Sequence, residues 1–323
     1  MGHRLITILT ILIIDLAGGH ARATRITIDS ITPISPTITV DPIISTDSAS
    51  CVIPFTRVGN LILIQAKADT TTGFFIFDTG APGLVLNITY FRHYPTSNPV
   101  ESGGVTGGTM STQTSVDSFR LGPISYHRLA ADLIDLGHIE NSKGVKIFGL
   151  MGIDLFERFE IIIDYTNNRL YLHLITKKEA ATYRSPQLLD STAYTSIPID
   201  IQEHKMIVYL FLKGRKLTFI IDSGAETNVL DSRLPGKVFE QVEITRRVTL
   251  NGSGNHRVEA LYGDLKGLRI GDRDIGALPF LITNLESMCD AYNNCLDGML
   301  GFDFLSLHKI GFNFVTRKMY IWK

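Results

Sequence analysis

The sequence predicts an all-β protein of two similar lobes, because apolar β-prone runs recur along it and one ordered set of motifs occurs twice. The first copy, Phe-Phe-Ile-Phe-Asp-Thr-Gly-Ala, occupies residues 74–81, and the second, Leu-Thr-Phe-Ile-Ile-Asp-Ser-Gly-Ala, occupies residues 217–225. Each run is typical of a buried strand that ends in a turn. An apolar-apolar-Gly-x-Asp element follows each copy, at 150–154 and at 299–303. We therefore predict two homologous β-barrel lobes with short helices, related by an approximate two-fold axis.

Length and composition exclude several classes of protein. The chain has 323 residues, of which 44% are hydrophobic and 20% charged, enough for two globular domains. Its formal net charge is -1, so we expect no nucleic-acid partner. The histidines are scattered and form no His-Glu-x-x-His motif, so we expect neither a metal site nor a cofactor.

The first 23 residues have the pattern of a secretory signal peptide. His3 and Arg4 precede an apolar run from Leu5 to Ile14, and Ala21-Arg22-Ala23 fits the small-x-small cleavage rule. The apolar run is about half of the roughly 20 residues that a membrane-spanning helix needs. The pattern therefore favours a cleaved signal over an uncleaved membrane anchor, and predicts an exported protein, periplasmic or secreted.

The rest of the chain divides by composition. Residues 24–50 are rich in Thr, Ser, Ile and Pro and are predicted to form an extended leader or linker. The lobes are predicted at residues 51–175 and 193–323. The polar, lysine-bearing stretch at 176–192 is predicted to link them.

Glycine-rich stretches in both halves are candidates for flaps that close over a substrate. Residues 103–118 combine glycines with alternating Ser/Thr and Val, a pattern of a glycine-tipped hairpin. An Asn-Gly-Ser-Gly stretch at 251–254 falls at the corresponding place in the second half. An ordinary exposed hairpin remains the alternative. The candidate flap glycines are Gly104, Gly107, Gly108, Gly252 and Gly254.

The two strand-end aspartates, Asp78 and Asp222, are the candidate catalytic residues. Equivalent residues approach each other at a two-fold axis. Two carboxyl groups a few ångströms apart cannot both ionise cheaply, so one keeps its proton while the other stays charged. Such a pair can activate a water molecule and protonate a carbonyl oxygen, which is general acid-base hydrolysis without a metal.

The residues beside the aspartates are predicted to support the pair. Hydroxyl residues can hydrogen-bond across the axis, glycines let backbone approach the carboxylates, and alanines allow tight packing. These supporting residues are Thr79, Gly80, Ala81, Ser223, Gly224 and Ala225. The elements that contain Gly152 and Gly301 are predicted to pack against the two turns.

These repeated motifs resemble the aspartic protease superfamily, and bacterial retropepsin-like proteases in particular. The resemblance covers roughly residues 51–323 and implies an aspartic endopeptidase with Asp78 and Asp222 as its dyad. Because both halves lie in one chain, it implies a pepsin-like bilobal arrangement that functions as a monomer on an extended peptide. Pro82 stands where retropepsins usually carry an acidic residue, and Glu226 keeps that character only in the second half. The groove is therefore expected to be asymmetric.

Two other functions remain open at this stage. The same fold could bind peptides or cell-wall fragments without cutting them. A glycoside hydrolase also uses paired carboxylates, but it predicts an aromatic-rich groove, and Trp322 is the chain's sole tryptophan.

Four further residues have predicted structural roles. Cys289 and Cys295 enclose a short loop and are predicted to form a disulfide in an exported protein. Asp154 and Asp303 each follow a glycine element and are predicted to cap a short helix rather than to catalyse.

Overall fold

The structure is a computed structural model. It describes the ranges 41–45, 48–97, 99–104, 107–251, 257–286, 288–289 and 295–323. The predicted signal peptide, most of the predicted leader, Gly252 and Gly254 lie outside the described residues.

Strands account for most of the ordered elements. Those of the first half are β1 (Ile43–Ile44), β2 (Ser50–Pro54), β3 (Thr56–Val58), β4 (Leu61–Ala68), β5 (Thr71–Phe77), β6 (Leu84–Asn87), β7 (Pro99–Gly104), β8 (Gly107–Leu121), β9 (Ile124–Ile134), β10 (Gly149–Met151), β11 (Phe159–Asp164) and β12 (Arg169–Leu174). Those of the second half are β13 (Tyr194–Pro198), β14 (Asp200–Gln202), β15 (Lys205–Leu212), β16 (Arg215–Ile221), β17 (Val229–Asp231), β18 (Val242–Asn251), β19 (Arg257–Leu265), β20 (Leu268–Ile270), β21 (Arg273–Asp274), β22 (Leu278–Thr283), β23 (Gly298–Leu300), β24 (Ile310–Asn313) and β25 (Lys318–Trp322).

The helices of the described residues are short. The α-helices are α1 (Ile88–Phe91), α2 (Gly137–Lys143), α3 (Gly236–Phe239) and α4 (Phe302–Leu305). Two 3-10 helices span Ile153–Phe156 and Pro186–Leu188. No helix of the described ranges is long and apolar enough to cross a membrane.

The first lobe is a closed barrel. Its sheet runs in the order β9-β6-β10-β5-β4-β8, and β8 also pairs with β9, which closes the ring. Strand β5 is apolar on both faces because Phe75 and Phe77 face the main core while Ile76 faces a second cluster. That double burial explains a continuous apolar run in place of an alternating pattern.

The second lobe has an open sheet in the order β18-β19-β22-β17-β23-β16-β15-β20-β21. In the first lobe, the single strand β8 pairs with both β9 and β4. In the second lobe those contacts are shared by β19, which pairs with β22, and β20, which pairs with β15. Gly267 separates β19 from β20 and has a φ of 79°, a left-handed conformation that interrupts a strand.

A six-stranded sheet joins the halves in the order β13-β25-β24-β11-β12-β2. At its centre, Ile161 pairs with Phe312 and Ile163 pairs with Ile310. Ile310 occupies in β24 the place that Ile161 occupies in β11, so the pairing is reciprocal. Reciprocal pairing is the mark of a two-fold contact.

The predicted all-β, two-lobed fold is therefore confirmed. At its N-terminal edge, the structure adds a contact that the sequence did not suggest. Strand β1, at the end of the predicted leader, pairs with β9, and Asp41 makes an ion pair with Arg158. The predicted linker at 176–192 contains the second 3-10 helix and no strand.

Candidate active site

Each candidate aspartate follows directly on the last residue of a buried strand. Asp78 follows β5, and Asp222 follows β16. The backbone N–H of Asp78 donates to the carbonyl of Met151 at 3.0 Å, and that of Asp222 donates to the carbonyl of Leu300 at 3.0 Å. Because β10 and β23 run parallel to β5 and β16, the same local geometry holds both aspartates.

The structure brings the two side chains together, and both are buried. The two carboxyl groups contact each other. Among the described residues, Oδ2 of Asp78 has no partner at regular hydrogen-bond geometry. Oδ1 of Asp78 accepts from the N–H groups of Gly80 at 2.9 Å and Ala81 at 3.2 Å. Oδ1 of Asp222 accepts from the N–H of Gly224 at 2.8 Å. A Cβ at Gly224 would lie 2.6 Å from Cγ of Asp78, so this position requires glycine.

Thr79 and Ser223 tie the two turns together by reciprocal hydrogen bonds. The N–H of Thr79 donates to Oγ of Ser223, and the N–H of Ser223 donates to Oγ1 of Thr79, both at 3.0 Å. Each hydroxyl donates onward to the opposite strand, Thr79 to the carbonyl of Ile221 and Ser223 to that of Phe77. All four groups are buried, so each bond is costly to lose.

Gly152 and Gly301 pack against the backbone of the two turns. A Cβ at Gly152 would lie 2.5 Å from the carbonyl oxygens of Ala81 and Gly83. A Cβ at Gly301 would lie 2.5 Å from the carbonyl oxygen of Thr227 and 2.6 Å from that of Ala225. No side chain fits at either place.

Comparison with known families agrees with this geometry. Residues 208–304 match the family model of aspartyl proteases. This match supports an aspartic protease-like family for the chain. The matched range contains Asp222, Ser223, Gly224 and Gly301. No curated protein matches the chain.

Burial and mutual contact set the charge of the two aspartates. Burial raises the pKa of Asp78 to about 6, while hydrogen bonds from Asp222, Gly80 and Ala81 oppose the rise. Burial raises the pKa of Asp222 well above its ordinary value, and the adjacent Asp78 charge raises it further. The two carboxyl groups therefore titrate as a coupled pair in which one proton is retained while the other is lost.

The two lobes differ beside the dyad at the equivalent positions Pro82 and Glu226. Glu226 makes an ion pair with Lys143 of the first lobe at 2.5 Å. The side-chain amide of Asn60 donates to the backbone carbonyl of Glu226 at 2.8 Å. Pro82 cannot form such a link. Lys143 and Asn60 carried no sequence signal, because neither belongs to a repeated motif.

A cavity of about 680 Å³ opens next to this link, beside the dyad rather than on it. Residues of both lobes line it, including Asn60, Lys143, Glu226, Arg246 and Tyr262.

Asp154 and Asp303 do not cap helices, so that prediction was wrong. The N-cap positions are Gly152 and Gly301, and neither helix has a side-chain cap. Asp303 instead accepts from the hydroxyl of Thr227 at 2.5 Å. Asp154 lies within one turn of helix and hydrogen-bonds Nδ1 of His204 at 2.7 Å.

The structure also brings Asp154, Glu157 and His204 together, with candidate ligand atoms within 4.8 Å of one another. They lie where the first lobe contacts His204 of the second, and the backbone N–H of Asp154 donates to the carbonyl of Pro82 at 2.8 Å. The hydrogen bond between Asp154 and His204 accounts for part of this grouping without a metal.

The remaining predicted residues are placed as follows. Gly104 pairs with Gly107, and Gly103 with Gly108, in the β7–β8 hairpin. Cys289 and Cys295 form a disulfide in the structure. Burial raises the pKa of the free Cys51 thiol to about 11, which makes this thiol unreactive at neutral pH.

Proposed function

We propose that this aspartyl protease is an endopeptidase that hydrolyses peptide bonds with a water molecule activated between Asp78 and Asp222. One observation carries the proposal. Two buried carboxyl groups from equivalent strand ends are in contact and are locked together by reciprocal hydrogen bonds. A structural role alone does not require two buried acids in contact, because burying unpaired carboxyl groups is costly.

The proposed protonation states give the two aspartates opposite roles. Ionised Asp78, whose Oδ2 is without a regular hydrogen bond, takes a proton from water as the water oxygen bonds to the carbonyl carbon. Asp222, which holds its proton more strongly, donates it to the carbonyl oxygen. The tetrahedral species then collapses. Asp78 passes its proton to the amide nitrogen, the carbon–nitrogen bond breaks, and Asp222 recovers a proton from the hydroxyl.

An extended peptide suits the space between the lobes, since sheet edges bind extended chains through backbone hydrogen bonds. The β7–β8 hairpin is the candidate flap of the first lobe. Because one chain supplies both carboxyl groups, we propose that the monomer is active. Export also remains a proposal, based on the first 23 residues.

The decisive test is hydrolysis of a diverse peptide mixture by wild type and by Asp78→Asn and Asp222→Asn. Each variant keeps the shape of the side chain but removes the acid-base function, so we expect activity to fall at least about 1,000-fold. Asp272→Asn, at an exposed position, is the matched control and should retain full activity.

Retained turnover in either dyad variant would exclude the proposed mechanism. If wild type bound peptides but did not cleave them from acidic to neutral pH, the chain would instead be a binding module on the same fold.

A further inference from the structure

A second buried acid lies in the first lobe, and the proposed mechanism does not use it. Asp132 on β9 is 9% exposed, and its Oδ1 is buried without a hydrogen-bond partner. Burial raises the pKa of Asp132 to about 7. An uncompensated buried carboxyl is destabilising unless a ligand supplies its partner.

Strand register places Asp132 on the face of the sheet that leads to the dyad. Asp132 pairs with Val85, Val85 with Leu150, and Leu150 with Ile76. These partners share one face, and their side chains form one cluster. Ile76 precedes Asp78 by two residues, so both point to that same face. Three strand spacings of about 4.8 Å separate Asp132 from Ile76, which puts it on the order of 15 Å from the dyad.

This face looks towards the second lobe. Helix α2, which follows β9, packs Ile139 onto the same cluster. Lys143 at the end of α2 reaches Glu226, four residues after Asp222. Ala130, two residues before Asp132 and therefore on its face, is exposed. Solvent therefore reaches this face of the sheet beside Asp132.

Asp132 also lies at the root of the candidate flap. Its cross-strand partner on β8 is Gln113, and the adjacent pair of Thr112 with Leu133 is the last between β8 and β9. Beyond Thr112, β8 pairs only with β7. The carboxyl therefore lies where the hairpin leaves the barrel, beneath the segment that would cover a bound peptide.

The second lobe has no acid at the equivalent position. There Val229 pairs with Leu281, as Val85 pairs with Asp132, and Leu281 is fully buried in an apolar cluster. The fold at this register is therefore compatible with leucine, and the carboxyl is not required to build the sheet.

We infer that Asp132 determines specificity, by pairing with the ammonium or guanidinium group of a substrate lysine or arginine two or three residues from the scissile bond. The inference rests on the proposed endopeptidase function. A cationic side chain would supply the missing partner of the carboxyl, and a charge-assisted pair in a buried site discriminates strongly against a neutral side chain.

The test uses synthetic peptides with one scissile bond, in which a single lysine is moved through the positions on either side. Glutamine and leucine are placed at the same positions for comparison. We expect one position at which wild type cleaves the lysine peptide with at least about tenfold higher kcat/KM than the leucine peptide. In Asp132→Asn and Asp132→Leu this ratio should fall to about one, whereas Asp117→Asn, an exposed acid of the same lobe, should leave it unchanged.

Binding of the same peptides to the Asp222→Asn variant gives a readout that does not require hydrolysis. Its preference for lysine should disappear when Asp132→Asn is added. Failure of hydrolysis would thus count against the endopeptidase alone. Equal use of lysine, glutamine and leucine, or a lysine preference that survives both Asp132 variants, would overturn the role of Asp132.

Discussion

The two lobes are nearly identical at the dyad and differ increasingly away from it. In both lobes the backbone N–H of the aspartate donates to an equivalent carbonyl, and the next residue's hydroxyl accepts from the N–H of the opposite turn. In both lobes a glycine also packs against the backbone of the turn. Farther out, the first barrel is closed and the second open. The first lobe has Asp132 where the second has Leu281, and Pro82 where the second has Glu226. The proposed hydrolysis needs symmetry only where the two carboxyl groups meet. The proposed peptide substrate is itself asymmetric, which favours differences between the lobes along the groove.

Apart from changes to the aspartates themselves, the contact of Gly224 with Asp78 offers the largest expected effect. A Cβ at Gly224 would lie 2.6 Å from Cγ of Asp78, so Gly224→Ala must displace the carboxyl group. We expect kcat/KM for peptide hydrolysis to fall at least about 100-fold, because small misplacements of reacting groups are that costly. Gly236→Ala, with no atom within 4 Å of the added Cβ and no positive φ, tests for a general effect of alanine. Full activity in Gly224→Ala would mean that the turns are farther apart than described.

The unequal proton affinity of the dyad should be visible in the pH dependence of kcat/KM. Below the pKa of Asp78, about 6, both carboxyl groups are protonated and no base is present, so the rate should fall about tenfold per pH unit. Above the raised pKa of Asp222, both are ionised and no acid is present, so the rate should fall again. A pH series with a neutral peptide measures both limbs. A maximum near the ordinary aspartate pKa of about 4 would contradict this assignment.

The reciprocal hydrogen bonds between Thr79 and Ser223 test whether the two lobes contribute equally to holding the two turns together. Thr79→Val leaves the N–H of Ser223 without a partner, and Ser223→Ala leaves that of Thr79 without one. Each should lower the free energy of unfolding by about 2 kcal/mol, measured by denaturant titration. Thr114→Val, which removes an exposed hydroxyl bond, is the control. Clearly unequal losses would show that the symmetry of the site is geometric but not energetic.

The smallest expected effect concerns the ion pair of Lys143 with Glu226, which has no counterpart at Pro82. Lys143 and Glu226 are 14% and 12% exposed, whereas Lys266 and Glu243 form an exposed pair within the second lobe. Lys143→Met should lower the free energy of unfolding by about 1–2 kcal/mol, because it leaves a half-satisfied buried acid. Lys266→Met should cause no measurable change. Similar results for both would mean that the Lys143 link does not hold the lobes together.

The repeated motifs made most of the site predictable, and the errors were local. Asp78 and Asp222 could be placed because an apolar run that ends in Asp and Gly has few structural interpretations. Asp154 and Asp303 were assigned wrongly as caps, since the preceding glycines already occupy the N-cap positions. Their partners, His204 and Thr227, come from outside their own local segments, and local sequence does not report such contacts.

The sequence by itself determined the all-β class, the two strand-end acids and the glycines that pack on them, because these depend on local pattern and on the repetition of that pattern. Tertiary structure alone decided which lobe closes, that Lys143 reaches Glu226, and that Asp132 stands in line with Val85, Leu150 and Ile76. In the sequence, Asp132 is one acid within an ordinary strand. Its burial and its lack of a partner arise from neighbours on strands far away along the chain, and only the folded sheet brings them together.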